Sequence, residues 1–124
     1  MNVEQMVRDA REKIREIDLE TALRMISDDA IVLDVREAAE YDAGFLPNAV
    51  NIPRGVLEFK VADHPALSQR EKPILVYCRT GGRSALATLT LKNLGFSGAV
   101  SLAGGFEGWS GQSLPVVKNP AICA

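Results

Sequence analysis

The spacing of apolar positions along the chain changes several times, and each change marks an expected element. Val3, Met6, Val7, Ala10 and Ile14 recur at helical spacing with charged residues between them, which predicts an amphipathic helix over residues 3–15. Asp18 then stands where an N-cap is expected. It precedes a second helical stripe of Leu19, Ala22, Leu23 and Ile26, which the "SDD" of residues 27–29 ends. The helical period disappears in "AIVLDV" (30–35) and "PILVYC" (73–78), short continuous runs of strand formers that predict strands buried on both faces. "GAVSLAG" (98–104) predicts a third strand, and "AVNIP" (49–53) a short one ended by Pro53. Helical patterns fill the gaps, "EAAEYDAG" after the first strand and "RSALATLTLKNLG" after the second. The latter carries Leu86, Leu89, Leu91 and Leu94, with Lys92 in its last turn and Gly95 as its stop, so a buried helix is expected. Strands alternating with helices at this density predict an α/β domain, its mainly parallel central sheet flanked by helices on both faces.

Length and charge narrow the picture further. The 124 residues suit one domain with a real core, and they contain no repeat, low-complexity tract or Gly/Ser linker. A net charge of -2 gives no global attraction to nucleic acid or to an anionic membrane, so any anion preference must be local. Two cysteines do not make a disulfide framework, and no apolar run approaches a membrane span. A reducing, cytoplasmic setting is the expectation.

The densest local chemistry is "ILVYCRTGGRSA", residues 74–85. Cys78 falls where a buried strand ends and a helix begins a few residues later, at the edge of a parallel sheet where ligands sit. Gly81 and Gly82 let the backbone curl so that several N–H groups turn inward, and such a nest at a helix N-terminus favours an anion. That anion is expected to be the thiolate itself, because helix N-termini and nearby guanidinium groups stabilise it. Arg79 and Arg83 flank the loop, and each has the fork geometry that holds an oxyanion through paired hydrogen bonds. An inert core cysteine is the competing reading, and it leaves the arginines and the paired glycines unexplained.

Several segments together resemble the rhodanese (sulfurtransferase) family. "LDVREAAEYDAGFLPNAVNIP" (33–53) looks like its first signature, "YCRTGGRSA" like its active-site loop, and "VSLAGGFEGW" (100–109) with "LPV" (114–116) like its closing segment. The resemblance implies a three-layer rhodanese-like domain over residues 17–117, preceded by a helical extension (1–16) and followed by a tail (118–124). It also implies a sulfurtransferase mechanism in which Cys78 takes a sulfane sulfur from thiosulfate or a persulfide donor. The resulting persulfide passes its sulfur to a thiophilic acceptor such as cyanide or a thiol, including a protein thiol. The loop Arg79, Thr80, Gly81, Gly82, Arg83 and Ser84 would hold the persulfide, with Arg79 and Arg83 on the donor's sulfonate. No metal or organic cofactor, nucleic acid or membrane is called for. A non-catalytic sulfur-carrier or persulfide-binding module is the alternative.

Loop length weighs against the related Cys-dependent phosphatases and arsenate reductases, whose loop is one residue longer. Four residues separate Cys78 from Arg83, Ser84 occupies the longer spacing, and Tyr77 stands where tyrosine phosphatases keep a histidine. Two positions depart from the rhodanese pattern. Phe45 replaces a usual histidine, and Asn48 replaces a usual glycine in a turn whose left-handed backbone Asn tolerates.

Other residues carry weaker signals. Asp34 and Arg36 are expected near the same sheet edge as Cys78, bracing loops rather than reacting, with Arg36 paired to Glu40 at i, i+4. Arg54 follows a proline turn, and either adds positive potential at the site's mouth or is a solvated loop residue. His64, the only histidine, reads as a loop residue, while Phe106 and Trp109 read as a hydrophobic plug under the closing segment, with "GGFEGW" as part of the pocket rim the alternative. Cys123 reads as an incidental tail thiol; the sharper alternative is acceptance of sulfur from Cys78 or a protective disulfide.

Overall fold

The computed structural model describes residues 1–118. Cys123 and the tail after Lys118 lie outside the described residues.

The two continuous apolar runs form the centre of the sheet. β2 (Ile31–Asp34) and β4 (Ile74–Tyr77) pair in parallel, with Ile31 opposite Ile74 and Asp34 opposite Tyr77. β5 (Ala99–Leu102) joins the other side of β4, and two short strands close the edges, β1 (Glu16–Ile17) on β5 and β3 (Val50–Asn51) on β2. The order is β1-β5-β4-β2-β3 and every pairing is parallel, so both faces must be covered by helices. Pro53, just after β3, cannot donate to a ladder and stands where that edge strand stops.

Strand pleating sorts the core into two halves. Ile74, Val76 and Cys78 face one side with Leu33, Leu57, Ala87, Leu91 and Phe96. Leu75 and Tyr77 face the other with Ile17, Ala22, Leu46, Leu102 and Trp109. The first side is covered by α4 (Leu57–Lys60) and α5 (Gly82–Asn93), the second by α2 (Leu19–Ser27) and α6 (Gly105–Gly111), while α3 (Ala38–Ala43) follows β2. The helices start as their caps direct. Asp18 accepts the Thr21 N–H at 2.9 Å, and Asn2 with Gln5 forms a capping box at the head of α1 (Val3–Lys13).

Three features differ from the sequence reading. α5 is not buried all round: Ser84, Ala85, Ala87, Thr88 and Leu91 face inward, α1 packs along another side, and Leu94 is 37% exposed. Small side chains toward the sheet let the helix approach it closely. Secondly, α6 and a run of 3-10 turns (Arg54–Val56, Val61–Asp63, Pro65–Leu67) occupy stretches for which the pattern predicted no helix. Thirdly, β1 adds an edge strand that its two residues could not announce. Asn48 does take a left-handed conformation, with φ +66°. Phe45 pairs in antiparallel fashion with Val117, each backbone N–H donating to the other's carbonyl at 2.8 Å, which seats the closing segment. Among the described residues, no helix is long and apolar enough to cross a membrane.

Candidate active site

β4 carries its apolar run to Tyr77, and the next residue, Cys78, continues the inward pleat and is only 1% exposed. The loop then turns back over the sulfur. Gly81 adopts φ +120°, a conformation that L side chains rarely take, and its N–H donates to Cys78 Sγ at 3.1 Å. α5 begins at Gly82, so the first N–H groups of a twelve-residue helix open toward the same loop. Of the loop's N–H groups from Arg79 to Arg83, that of Gly81 is the one that reaches Sγ among the described residues.

A hydroxyl pair lies beneath the sulfur. The Cys78 thiol donates to Ser84 Oγ at 3.6 Å, Ser84 Oγ donates to the Gly81 carbonyl at 3.2 Å, and Ser101 Oγ stands 2.8 Å from Ser84 Oγ. Both serines are fully buried.

The loop's start is fixed from the far side by α6. Phe106 N–H donates to the Cys78 carbonyl at 2.8 Å and Glu107 N–H to the Arg79 carbonyl at 3.0 Å. Two orphan donors of that helix's first turn are thereby satisfied, and the strand-to-loop junction is held at both carbonyls. From the N-terminal side, α1 leans on the loop. A Cβ on Gly81 would stand 3.3 Å from Arg11 Nη2, and one on Gly82 would stand 3.9 Å from Val7 Cγ2.

Both loop arginines have carboxylate partners. Arg83 forms a two-pronged pair with Glu40, Nη1 to Oε1 at 2.6 Å and Nη2 to Oε2 at 3.0 Å. Those hydrogen bonds, against the cost of partial burial, hold the Glu40 carboxyl down at about 2. Arg79, more than half exposed, donates from Nε to Glu107 at 2.7 Å. Beside the loop, Arg36, Glu40, Ala43, Arg79, Phe106 and Glu107 line a pocket of about 370 Å³.

Asp34 and Arg36 make a buried brace, and here one expected partner is corrected. Arg36 pairs with Asp34, Nη2 to Oδ2 at 2.8 Å, and not with Glu40, because Asp34 shares its burial and offers two lone-pair faces to the guanidinium. Glu40 meanwhile is taken by Arg83. The Arg36 guanidinium also donates to the Gly44 carbonyl at 2.6 Å and lies 4.3 Å over the Phe106 ring. Tyr77 Oη donates to Asp34 Oδ2 at 2.7 Å and accepts the Leu46 N–H at 3.1 Å. Burial, reinforced by the Asp34 charge, pushes the phenol well above its usual range and keeps it a donor.

Of the remaining candidates, Arg54 turns onto Glu58 at 3.2 Å and Thr90 Oγ1 at 3.4 Å, further along α5 and away from the loop. His64 Nδ1 caps a 3-10 turn by accepting the Ala66 N–H at 3.1 Å. Trp109 is buried, with Nε1 donating to the Pro115 carbonyl at 2.7 Å, while Phe106 packs in the same cluster. Among the described residues no group of His, Cys, Asp and Glu is arranged to hold a metal. Glu107 and Phe106, from the "GGFEGW" segment expected at the rim, do line the pocket, while two residues around the loop escaped the sequence reading, Arg11 and Ser101. Only Ser101 left a trace, as a polar residue inside the apolar run "AVSL".

A parallel sheet whose central strand delivers a cysteine into a glycine-turned loop matches a known family. The family model described as "Rhodanese-like domain" fits residues 18–112. The chain belongs to the rhodanese-like family. This rhodanese-like protein is 29% identical over 106 residues to a protein of Allochromatium vinosum named "Sulfurtransferase", covering 84% of this chain and 95% of that one. It is 33% identical over 97 residues to "Thiosulfate sulfurtransferase GlpE" of Pseudomonas entomophila, covering 78% and 85% respectively. A solved structure from Rhodopseudomonas palustris, named a protein of unknown function and "Possible Tyrosine Phosphatase", superposes with a TM-score of 0.85 at 26% identity. That match covers 94% of this chain and 95% of the other.

Proposed function

We propose that the protein is a thiosulfate or persulfide sulfurtransferase working through a Cys78 persulfide. The observation that carries this reading is the Gly81 N–H on Cys78 Sγ, inside a loop that leaves four residues between Cys78 and Arg83. In the first half-reaction the Cys78 thiolate attacks the outer sulfur of thiosulfate. The donor's S–S bond breaks, and sulfite leaves with the electron pair. The persulfide's terminal sulfur then carries the negative charge among the N–H groups of residues 79–83. In the second half-reaction an acceptor, cyanide or a thiolate, attacks that terminal sulfur. The bond to Sγ breaks, and its electron pair restores the Cys78 thiolate. No external oxidant or reductant is consumed.

Arg79 supports donor capture, since its exposed guanidinium engages Glu107 through Nε and lines the pocket beside the loop. Arg83 contributes through the loop, tied to α3 by Glu40. The names of the Allochromatium and Pseudomonas relatives favour sulfur transfer. The phosphatase suggestion carried by the Rhodopseudomonas structure is disfavoured here by the shorter loop and by Ser84 at the longer spacing.

The test is intact-mass spectrometry after incubation with thiosulfate. Gain of one sulfur atom by the wild type, absent in Cys78→Ser and lost on adding cyanide, supports the reading. No gain with thiosulfate or with an organic persulfide overturns it.

A further inference from the structure

Ser101 has no part in the reaction described above, yet it is placed to affect it. It lies on β5, fully buried, and the partner recorded for its hydroxyl among the described residues is Ser84 Oγ at 2.8 Å. Ser84 Oγ in turn is the side-chain oxygen that meets Cys78 Sγ. A strand interior that is otherwise Ala99, Val100 and Leu102 gains nothing in packing from a hydroxyl, and burying one is unfavourable unless it is hydrogen-bonded.

Resting on the sulfurtransferase reading, we propose that Ser101 is a positioning residue that turns the Ser84 hydroxyl toward the Cys78 thiolate released when sulfur leaves. In the thiol state the Cys78 S–H donates to Ser84 Oγ, and the Ser84 proton points to the Gly81 carbonyl. Once the acceptor takes the terminal sulfur, the electron pair of the broken S–S bond stays on Sγ, which now needs donors. Gly81 N–H already supplies one. The second arises when the Ser84 O–H rotates from the Gly81 carbonyl to Sγ, while the Ser101 O–H donates to Ser84 Oγ and polarises it. No atom is gained or lost in this step; one hydroxyl proton, that of Ser84, changes acceptor, while the Ser101 O–H donates to Ser84 Oγ throughout. The loading step leaves its charge on the terminal sulfur, among the loop N–H groups, so Ser101 acts chiefly on discharge.

The experiment compares wild type, Ser101→Ala, Ser101→Thr, Ser84→Ala and the double variant. Persulfide loading by thiosulfate and discharge to cyanide are timed separately in single turnovers. Thiolate ultraviolet absorbance of the unloaded enzyme is read at one fixed pH, and thermal melting checks folding. Ser101→Ala is expected to slow discharge about three- to tenfold, the loss of one polarising hydrogen bond, with loading slowed less. Its thiolate absorbance falls, Ser101→Thr restores both, and Ser101→Ala adds nothing in the Ser84→Ala background. Equal slowing of both half-reactions, or an additive effect on top of Ser84→Ala, overturns the inference and leaves the sulfurtransferase reading standing. Failure of the wild type to load sulfur overturns the sulfurtransferase reading and this inference's reaction step with it. The absorbance and the double-variant comparison would still report whether Ser101 reaches Cys78 through Ser84.

Discussion

Gly105 lies so close to Cys78 that a Cβ on it would stand 2.5 Å from the Cys78 carbonyl oxygen and 2.7 Å from the Arg79 carbonyl. Both obstacles are backbone, so neither can swing aside as a flexible side chain would. Gly105 also has φ +55°, where an L side chain costs about 1–2 kcal/mol even in open space. Gly105→Ala is therefore expected to lose about 2–4 kcal/mol of stability, the overpacking adding to the backbone term. Because α6 holds the Cys78 and Arg79 carbonyls, the shift reaches the sulfur. A loss in kcat/KM of roughly tenfold or more is expected, since small misplacements at a reacting centre are costly. Chemical denaturation and steady-state kinetics of the refolded variant check both. A variant as stable and active as wild type would mean that the loop does not depend on this contact.

What was legible in the sequence was what is local. β2 and β4 announced themselves as unbroken apolar runs, and Asp18 and Asn48 as residues suited to an N-cap and a left-handed turn. The cysteine loop was legible because its strand, glycines and helix start are contiguous. Partner choice was not. The i, i+4 spacing offered Glu40 to Arg36, but the fold brings Arg83, 43 positions away, onto Glu40 and leaves Arg36 to Asp34. α6 was hidden because "GFEGWSG" buries only Gly105 and Trp109, too few to show a period. Ser101, Gly105 and Arg11 reach the cysteine loop from other elements, and no spacing within one segment can reveal that.

The Glu40–Arg83 pair sets an acid limit. The carboxyl ordinarily titrates near 4.5 and is held at about 2 in the folded protein, chiefly by the Arg83 hydrogen bonds. A depressed folded value means that the pair's contribution is complete above about 4.5 and is lost as pH falls toward about 2. Each partner is about one-third exposed, so solvent screening keeps the contribution near 1 kcal/mol. Glu40→Gln should flatten the stability curve between those two pH values and leave it nearly parallel to wild type above them. Urea melts at a series of pH values would show this as a difference that closes on acidification. A difference constant down to pH 2 would place the acid sensitivity elsewhere.

Arg36 and Asp34 should prove structural and strongly so. Their side chains are 5% and 0% exposed, and Asp34 also anchors Tyr77. Arg36→Met leaves the buried Asp34 carboxylate with two neutral donors, the Tyr77 hydroxyl and the backbone N–H of residue 36, and no counter-charge, and is expected to cost about 3–5 kcal/mol. Tyr77→Phe keeps the ion pair but strips a donor from Asp34 and an acceptor from Leu46 N–H, at about 1–3 kcal/mol. The milder variant is the informative one. If Tyr77→Phe folds and still loads sulfur at the wild-type rate, the brace acts on stability alone; a loading defect without a stability loss would assign Tyr77 a part in the chemistry.

The N-terminal helix belongs to the support of the cysteine loop, although it precedes the residues 18–112 that match the family. Ala10 is buried, Val7 approaches Gly82, and the Arg11 guanidinium lies against Gly81, the residue whose N–H reaches Sγ. Arg11 is itself steadied by Glu16 at 3.3 Å, at the start of β1. That ion pair is exposed, so Arg11→Ala should change global stability by less than about 1 kcal/mol. The packing against Gly81 is what the variant removes. The Gly81 amide is therefore expected to exchange with solvent several-fold faster, while amides of β2 and β4 keep their wild-type rates, since local openings need not follow the global one. Nuclear magnetic resonance exchange rates decide the matter. Uniform acceleration at every amide would reduce Arg11 to a stability residue, and unchanged exchange at Gly81 would show that α1 lies against the loop without restraining it.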